Sequence, residues 1–573
     1  MKLSPYSLMM ALGCLAISTG QGSPLESSRV HSIYINARIY EPASTDARAK
    51  HCSESSDIRV TADCLESIAV RDDKIAAIGP TKEILERYRN KDSRVINLDG
   101  HFVMAGFNDT HVHLASAGFE RLNEDLEGVK SLQEMQERIG QRVKTAAEGE
   151  WIVGRGWDHT LWEGKQLPTR MDLDLVTAGH PAIFTRVDGH IAVANSAALA
   201  AAGINRNTAD PPGGRFDRGP GGELTGIARE TATDLITSHI PAHTSAERRH
   251  ALELATDDAI RHGVTSVQDY STWDDFLAFE QMERDGVLHL RVTEWLSFDD
   301  PLDVLEKHRA SHPANDPMLH TGFLKGFMDG SLGSRTAALF APYADDPGNS
   351  GIPQYDQQKL NDMTVERAKA GFQIGFHAIG DRAVSMALNA FSAAEAAGYG
   401  KDLRFRIEHA QVMVPGDFER FHELGVIASM QPSHLLSDMR WAEARLGPER
   451  SGTSYAWKSF LDHGVVLAFG TDYPVEPVTP FRGIYAAVTR MDEAGKSSYH
   501  PEQRLTIEQA LHAYTVTAAY AEFAEDQVGK LLPGYLADFV VLDRDITRIP
   551  AEQILETKVL RTVVGGKTVW EMK

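Results

Sequence analysis

His111 and His113, two residues apart in the stretch FNDTHVH (107–113), are the first side chains in this 573-residue sequence whose types and spacing suggest chemistry. Residues i and i+2 of a β-strand point to one face, so the pair can aim two imidazoles at a single metal ion. The motif alone reads equally well as two structural histidines. Four more groups strengthen the metal reading. Lys325 stands in FLKGFMDG (323–330), His377 closes IGFH (374–377), His409 closes RIEH (406–409) and Asp472 follows LAFGT (467–471). Singly, each has a bland account: a histidine satisfied in a core, a lysine with its head at the surface, an aspartate capping the next helix. Together, four histidines, a lysine and an aspartate near five strand ends form a ligand set that chance does not readily assemble.

The elements that must position them alternate short apolar runs with helical patterns. The runs expected as barrel strands are 102–107, 264–269, 290–296, 324–328, 373–377, 405–409, 426–430 and 466–470, with helices such as 363–370, 383–397 and 415–424 between them. Eight strands alternating with helices suggest an α/β (β/α)8 TIM barrel, whose functional groups gather at the C-terminal strand ends. Residues 101–524 would form it. Residues of about 120–245 are too many for a crossover and are expected to hold an inserted subdomain after the first strand. Alternating runs at 31–100 and 525–573 are expected to pair into a small β-sandwich built from both chain ends.

Residues 1–22 carry a lysine, a short apolar core and a small polar tail, the parts of a secretory signal peptide. Export to a periplasmic or extracellular space is the expectation. A lipoprotein anchor at Cys14 is the second choice, because Ala11 rather than leucine stands three positions before it. The other two cysteines, Cys52 and Cys64, suit a disulfide in an oxidising compartment. The formal net charge of −22 argues against a nucleic-acid partner. No other stretch is long and apolar enough to span a membrane.

The ordered motifs FNDTHVH, GRGWDHTLW (154–162), RVDGH (186–190), LKGFMDGSLGSRTA (324–337), FHAIGDRA (376–383), RIEHAQ (406–411), GTDYPVEP (470–477) and LPGYLADFVVLD (532–543) are spread over nearly all of the chain after the expected leader. In these the sequence resembles the amidohydrolase superfamily, specifically the amidohydrolase-3 group that includes the N-substituted formamide deformylases. The resemblance implies two divalent metal ions. His111, His113 and Asp472 would hold the inner ion, His377 and His409 the outer one, and Lys325 would bridge them as a carbamate. A lysine carbamate is a two-oxygen anion on a long arm, suited to ions about 3.5–4 Å apart. Imidazole and carboxylate ligands suit zinc best, and manganese, iron or cobalt are compatible.

The implied reaction is hydrolysis of a non-peptide C–N bond in an amide or an N-acyl or N-formyl amine. Water activated between the ions attacks the carbonyl, and Asp472 moves its proton to the leaving amine. His190 is the second catalytic candidate, as a donor to the substrate carbonyl, with a structural role as the alternative. Trp157 and Trp162 would wall an apolar pocket or belong to a core. Arg335 would meet a substrate carboxylate or tie down its own loop. Asp381 and Glu408 read as groups that orient the ligand histidines. A lactone, ester or cyclic-amide hydrolase using the same site is the rival enzyme, and a non-catalytic metal-binding or regulatory protein is the rival of another class. The resemblance also allows a homodimer. The stretch carrying Cys52 and Cys64, and the leader itself, depart from the group's pattern.

Overall fold

The computed structural model describes residues 30–40, 66–186, 191–211 and 214–573. Residues 1–22, expected as a signal peptide, Cys52 with Cys64, and His190 lie outside the described residues. Among the described residues no helix is long and apolar enough to cross a membrane.

At the centre is a sheet of eight parallel strands in sequential order. Numbering these alone, they are β1 (Phe107–Val112), β2 (Val264–Tyr270), β3 (Arg291–Ser297), β4 (Leu319–Phe327), β5 (Gln373–Ala378), β6 (Arg406–His409), β7 (Ile427–Met430) and β8 (Leu467–Phe469). Helices Leu114–Leu122, Ser245–Arg261, Trp273–Arg284, Gln357–Lys369 and Asp381–Ala396 are among those that connect them. The strands read as near-continuous apolar runs because they are covered on both faces, the condition under which a parallel sheet is stable. The fold is a TIM-barrel-like α/β architecture.

The seam between β8 and β1 is closed by the chain just beyond β8. His113 N–H donates to the Tyr473 carbonyl at 2.8 Å, and Asp472 N–H donates to the His111 carbonyl at 2.7 Å. Gly470 permits this approach, since a Cβ there would lie 2.7 Å from both Asp109 Oδ1 and His111 N.

Two expected strand positions need correction. The run at 102–107 is not the first barrel strand. Phe102–Ala105 pairs instead with Ser32–Ile39 and Phe539–Leu542, and the barrel begins at Phe107. Gly106 separates the two strands, and a Cβ there would sit 2.2 Å from the Thr265 side chain. One apolar run feeding two sheets shows no break in periodicity, which is why the sequence pattern merged them. The fourth strand begins at Leu319 rather than 324, so Lys325 sits near its C-terminal end.

Two further sheets flank the barrel. One joins both chain ends in the order Lys567–Glu571, Val559–Val564, Phe539–Leu542, Phe102–Ala105, Ser32–Ile39, Glu66–Arg71, Lys74–Pro80, with Arg94–Asn97 beside Ser32–Ile39. Tyr34, Val70, Val103, Phe539 and Val563 share its core. The other has six strands, all between residues 124 and 230 in the chain's passage from β1 to β2. Its faces cover separate apolar clusters, around Trp157 and Phe184 on one and Phe216 and Ile236 on the other.

Candidate metal centre

The C-terminal ends of the barrel strands bring His111, His113, Lys325, His377, His409 and Asp472 together. His111 and His113 reach the mouth from the end of β1 and the residue after it, Lys325 from β4, His377 from β5 and His409 from β6. Asp472 follows β8 with a left-handed backbone, φ 63°, and His409 and Ala410 are left-handed too, at 72° and 42°. Non-glycine residues rarely adopt this region, and they concentrate where surrounding structure fixes a functional geometry.

Asp472 Oδ1 lies 3.2 Å from His113 Nε2 and 3.6 Å from His111 Nε2. Lys325 Nζ lies 3.0 Å from the same His111 nitrogen. The imidazole rings of His377 and His409 meet edge to face at 4.5 Å, and those of His111 and His409 at 5.0 Å.

Hydrogen bonds at the far ring nitrogens set which nitrogen each histidine presents. His111 Nδ1–H donates to Glu408 Oε2 at 2.8 Å, and His113 Nδ1–H donates to the Tyr270 carbonyl at 3.1 Å. Both therefore turn an Nε2 lone pair inward. His377 donates from Nε2 to the Gly330 carbonyl at 3.2 Å, leaving Nδ1 free to coordinate. Glu408 is itself held by Arg406 at 2.9 Å in a fully buried pair. Asp109 accepts from Thr471 N–H at 2.9 Å and from His111 N–H at 3.2 Å, tying β1 to the Asp472 segment. Asp329 accepts N–H bonds from Ala338, Ile379 and Gly380, and so joins the loops after β4 and β5.

Electrostatics favour a neutral-imidazole, anionic-carboxylate donor set. Burial pushes His111 and His409 well below the ordinary histidine range, aided by positive neighbours, and takes His377 down to about 4. Burial would raise Asp472, but the His113 and His434 imidazoles in contact with it and the nearby His111 and His409 outweigh it and hold the carboxyl well below its usual range. Burial brings Lys325 down to about 8 against the pull of Glu408 and Asp472.

The donor set fits a metal on two observations. His111, His113 and Asp472 place ligand atoms within 4.8 Å of one another. His409 Nδ1 is buried with no hydrogen-bond partner, an arrangement that is costly without a bound group.

Other expected site residues lie elsewhere or act differently. Trp157 is fully buried in the core of the six-stranded sheet, packed near Trp162, and its indole N–H donates to the Phe184 carbonyl at 2.8 Å. It is placed as core rather than as a pocket wall. Arg335 pairs with Asp345 at 2.8 Å, which Arg445 also engages, so its guanidinium secures its loop. Asp381 accepts from Phe340 N–H at 2.9 Å; it is Glu408 that orients His111. His434 is the site residue that sequence reasoning missed. It stands four positions past the end of β7, on helix Ser433–Asp438, so a search for histidines at strand ends passes over it.

A parallel barrel with a histidine-rich cluster at its C-terminal mouth defines the class of metal-dependent hydrolases. The amidohydrolase family model matches residues 94–570, and the chain belongs to that family. Protein LONG AFTER FAR-RED 3 of Arabidopsis thaliana is 36% identical over 523 residues, covering 88% of each chain. The N-substituted formamide deformylase of Arthrobacter pascens is 27% identical over 531 residues, 89% of this chain and 95% of that one. Among solved structures, an uncharacterized metal-dependent hydrolase from Pyrococcus furiosus superposes with a TM-score of 0.73 at 32% identity, covering 90% of this chain and 100% of that one.

Proposed function

We propose that this metal-dependent hydrolase cleaves a non-peptide C–N bond, in an amide or an N-acyl or N-formyl amine. The observation that carries the reading is the meeting of His111, His113, Lys325 and Asp472 within 3.0–3.6 Å at the barrel mouth. The similarity to a formamide deformylase supports the bond type.

His111, His113 and Asp472 would hold one divalent ion, and His377 and His409 a second, with zinc the best match to these donors. Lys325 would bridge them as a carbamate. It is 1% exposed, and its hydrogen-bond partner is an imidazole rather than a carboxylate. A buried ammonium with no carboxylate in direct contact costs several kcal/mol. A pKa of about 8 keeps the neutral amine, the form that adds carbon dioxide, within reach at physiological pH. The pair of ions supplies a Lewis acid for the carbonyl and acidifies water.

The chain's own residues do the rest. Asp472 accepts the proton of the attacking water at its carboxylate and delivers it to the leaving nitrogen, which cannot depart as an amide anion. The Glu408–His111 and Tyr270–His113 hydrogen bonds keep the imidazoles oriented through the cycle. The six-stranded subdomain between β1 and β2, with His190, would contact the rest of the substrate. The leader would export the enzyme to a compartment where Cys52 and Cys64 pair, so its substrates would be amides met outside the cytoplasm.

The test is metal analysis of the purified protein combined with a panel of N-formyl amines, N-acyl amino acids, hydantoins and lactones. About two ions per chain and turnover of open-chain amides are expected. Turnover confined to lactones would replace the proposed bond, and tight binding without turnover would favour a binding protein.

A further inference from the structure

Asp472 is gripped from two sides. Oδ1 faces His113 and His111 at 3.2 and 3.6 Å, while Oδ2 lies 3.3 Å from His434 Nε2. The His434 ring is buried and stacks on the His409 ring at 5.7 Å with 15° between planes. Its other nitrogen, Nδ1, accepts a hydrogen bond from the Gln411 side-chain amide at 3.1 Å. An imidazole that accepts at one nitrogen carries its proton at the other, so Nε2 bears the hydrogen; it has no other partner among the described residues and faces Asp472 Oδ2 at 3.3 Å, short of a well-aligned hydrogen bond. Gln411 is anchored in turn, because its backbone carbonyl accepts the Tyr455 N–H at 2.8 Å.

We propose that His434 is a positioning residue for Asp472: its Nε2–H holds Oδ2, leaving Oδ1 as the oxygen presented to His111 and His113. The inference rests on the metal-dependent reading above and adds a residue to it. Its physical basis is that a carboxylate with both oxygens free can rotate about its Cβ–Cγ bond, a broad and soft torsion. A donor fixed to one oxygen removes that freedom. The loops after β6 and β7, through Gln411 and His434, thereby set the orientation of a group carried beyond β8.

The test loads wild-type, His434→Phe, His434→Gln and Gln411→Leu proteins with cobalt(II) and records stoichiometry and visible spectrum, which reports on the ligand environment without needing a substrate. All four proteins should take up the same amount of cobalt. The His434→Phe spectrum should shift, His434→Gln should return toward wild type because its amide N–H can reach the same oxygen, and Gln411→Leu should shift less in the same direction. On any amide that turns over, kcat should fall about 10- to 100-fold in His434→Phe with KM little changed. A wild-type spectrum in His434→Phe overturns the proposal. Loss of an ion in that variant also overturns it, because His434 would then be a ligand. Should His434→Phe not fold, an unchanged spectrum in Gln411→Leu overturns it. Absence of cobalt uptake by the wild-type protein would instead remove the metal-dependent reading beneath it.

Discussion

Asp472 and His111 are joined twice, by a backbone hydrogen bond of 2.7 Å from Asp472 N–H to the His111 carbonyl and by side chains 3.6 Å apart. β8 is a three-residue strand and stops short of β1, so this contact and the neighbouring His113–Tyr473 bond close the barrel. The seam that closes the fold and the site therefore share the same residues. A change that disturbs the seam should cost stability and metal affinity together.

Gly470→Ala tests that coupling. Its Cβ would collide with Asp109 Oδ1 and the His111 amide, both backed by buried structure that cannot retreat. A loss of about 1–3 kcal/mol is expected in denaturant unfolding. Metal affinity should fall with it. Unfolding at wild-type denaturant concentration with weakened metal binding would show that the two are separable.

Lys325→Ala should lower the ion count from about two per chain toward one and abolish most turnover, because the bridge is gone. The cavity left behind is lined by the same imidazoles, so added acetate should restore part of both. Full activity with unchanged metal content would eliminate the carbamate.

Glu408→Gln removes the charge that Arg406 and His111 share in the barrel interior. Breaking a buried pair leaves the other charge uncompensated, at about 3–5 kcal/mol. Metal affinity should drop about 10- to 100-fold as His111 loses its orienting carboxylate. Calorimetry with and without metal separates the two effects.

Glu522 gives a pH signature away from the metal cluster. Burial raises its carboxyl to about 7 from an ordinary 4.5, although Thr293 and Asn108 hydrogen-bond to it. The unfolded chain ionises first as pH rises, so the group's contribution is complete below about 4.5 and is lost by about 7. The wild-type melting temperature should therefore decline relative to Glu522→Gln across that interval and run parallel above it. Asp109 and Asp269, also raised by burial, to about 7 and about 6, titrate in both proteins and cancel in the comparison. A constant difference from pH 4.5 to 7 would contradict the assignment.

Much of this was legible in the sequence, for a physical reason. Parallel strands covered on both sides must be apolar and short, so six of the eight expected barrel strands match the observed ones to within one residue at both ends, and His377 and His409 announce their strand ends directly. Residue type also carries chemistry: histidine pairs, an interior lysine and an aspartate after a strand are informative before any fold is known. Tertiary structure decided what periodicity does not encode. It split one apolar run at Gly106 between two sheets, because the break is a steric approach to Thr265 rather than a change of pattern. It put Trp157 in a core and gave Arg335 to Asp345, since partner choice depends on which surfaces meet. It brought His434 from a helix to within 3.3 Å of Asp472, thirty-eight positions along the chain, a proximity that exists only once the strands have closed around the site.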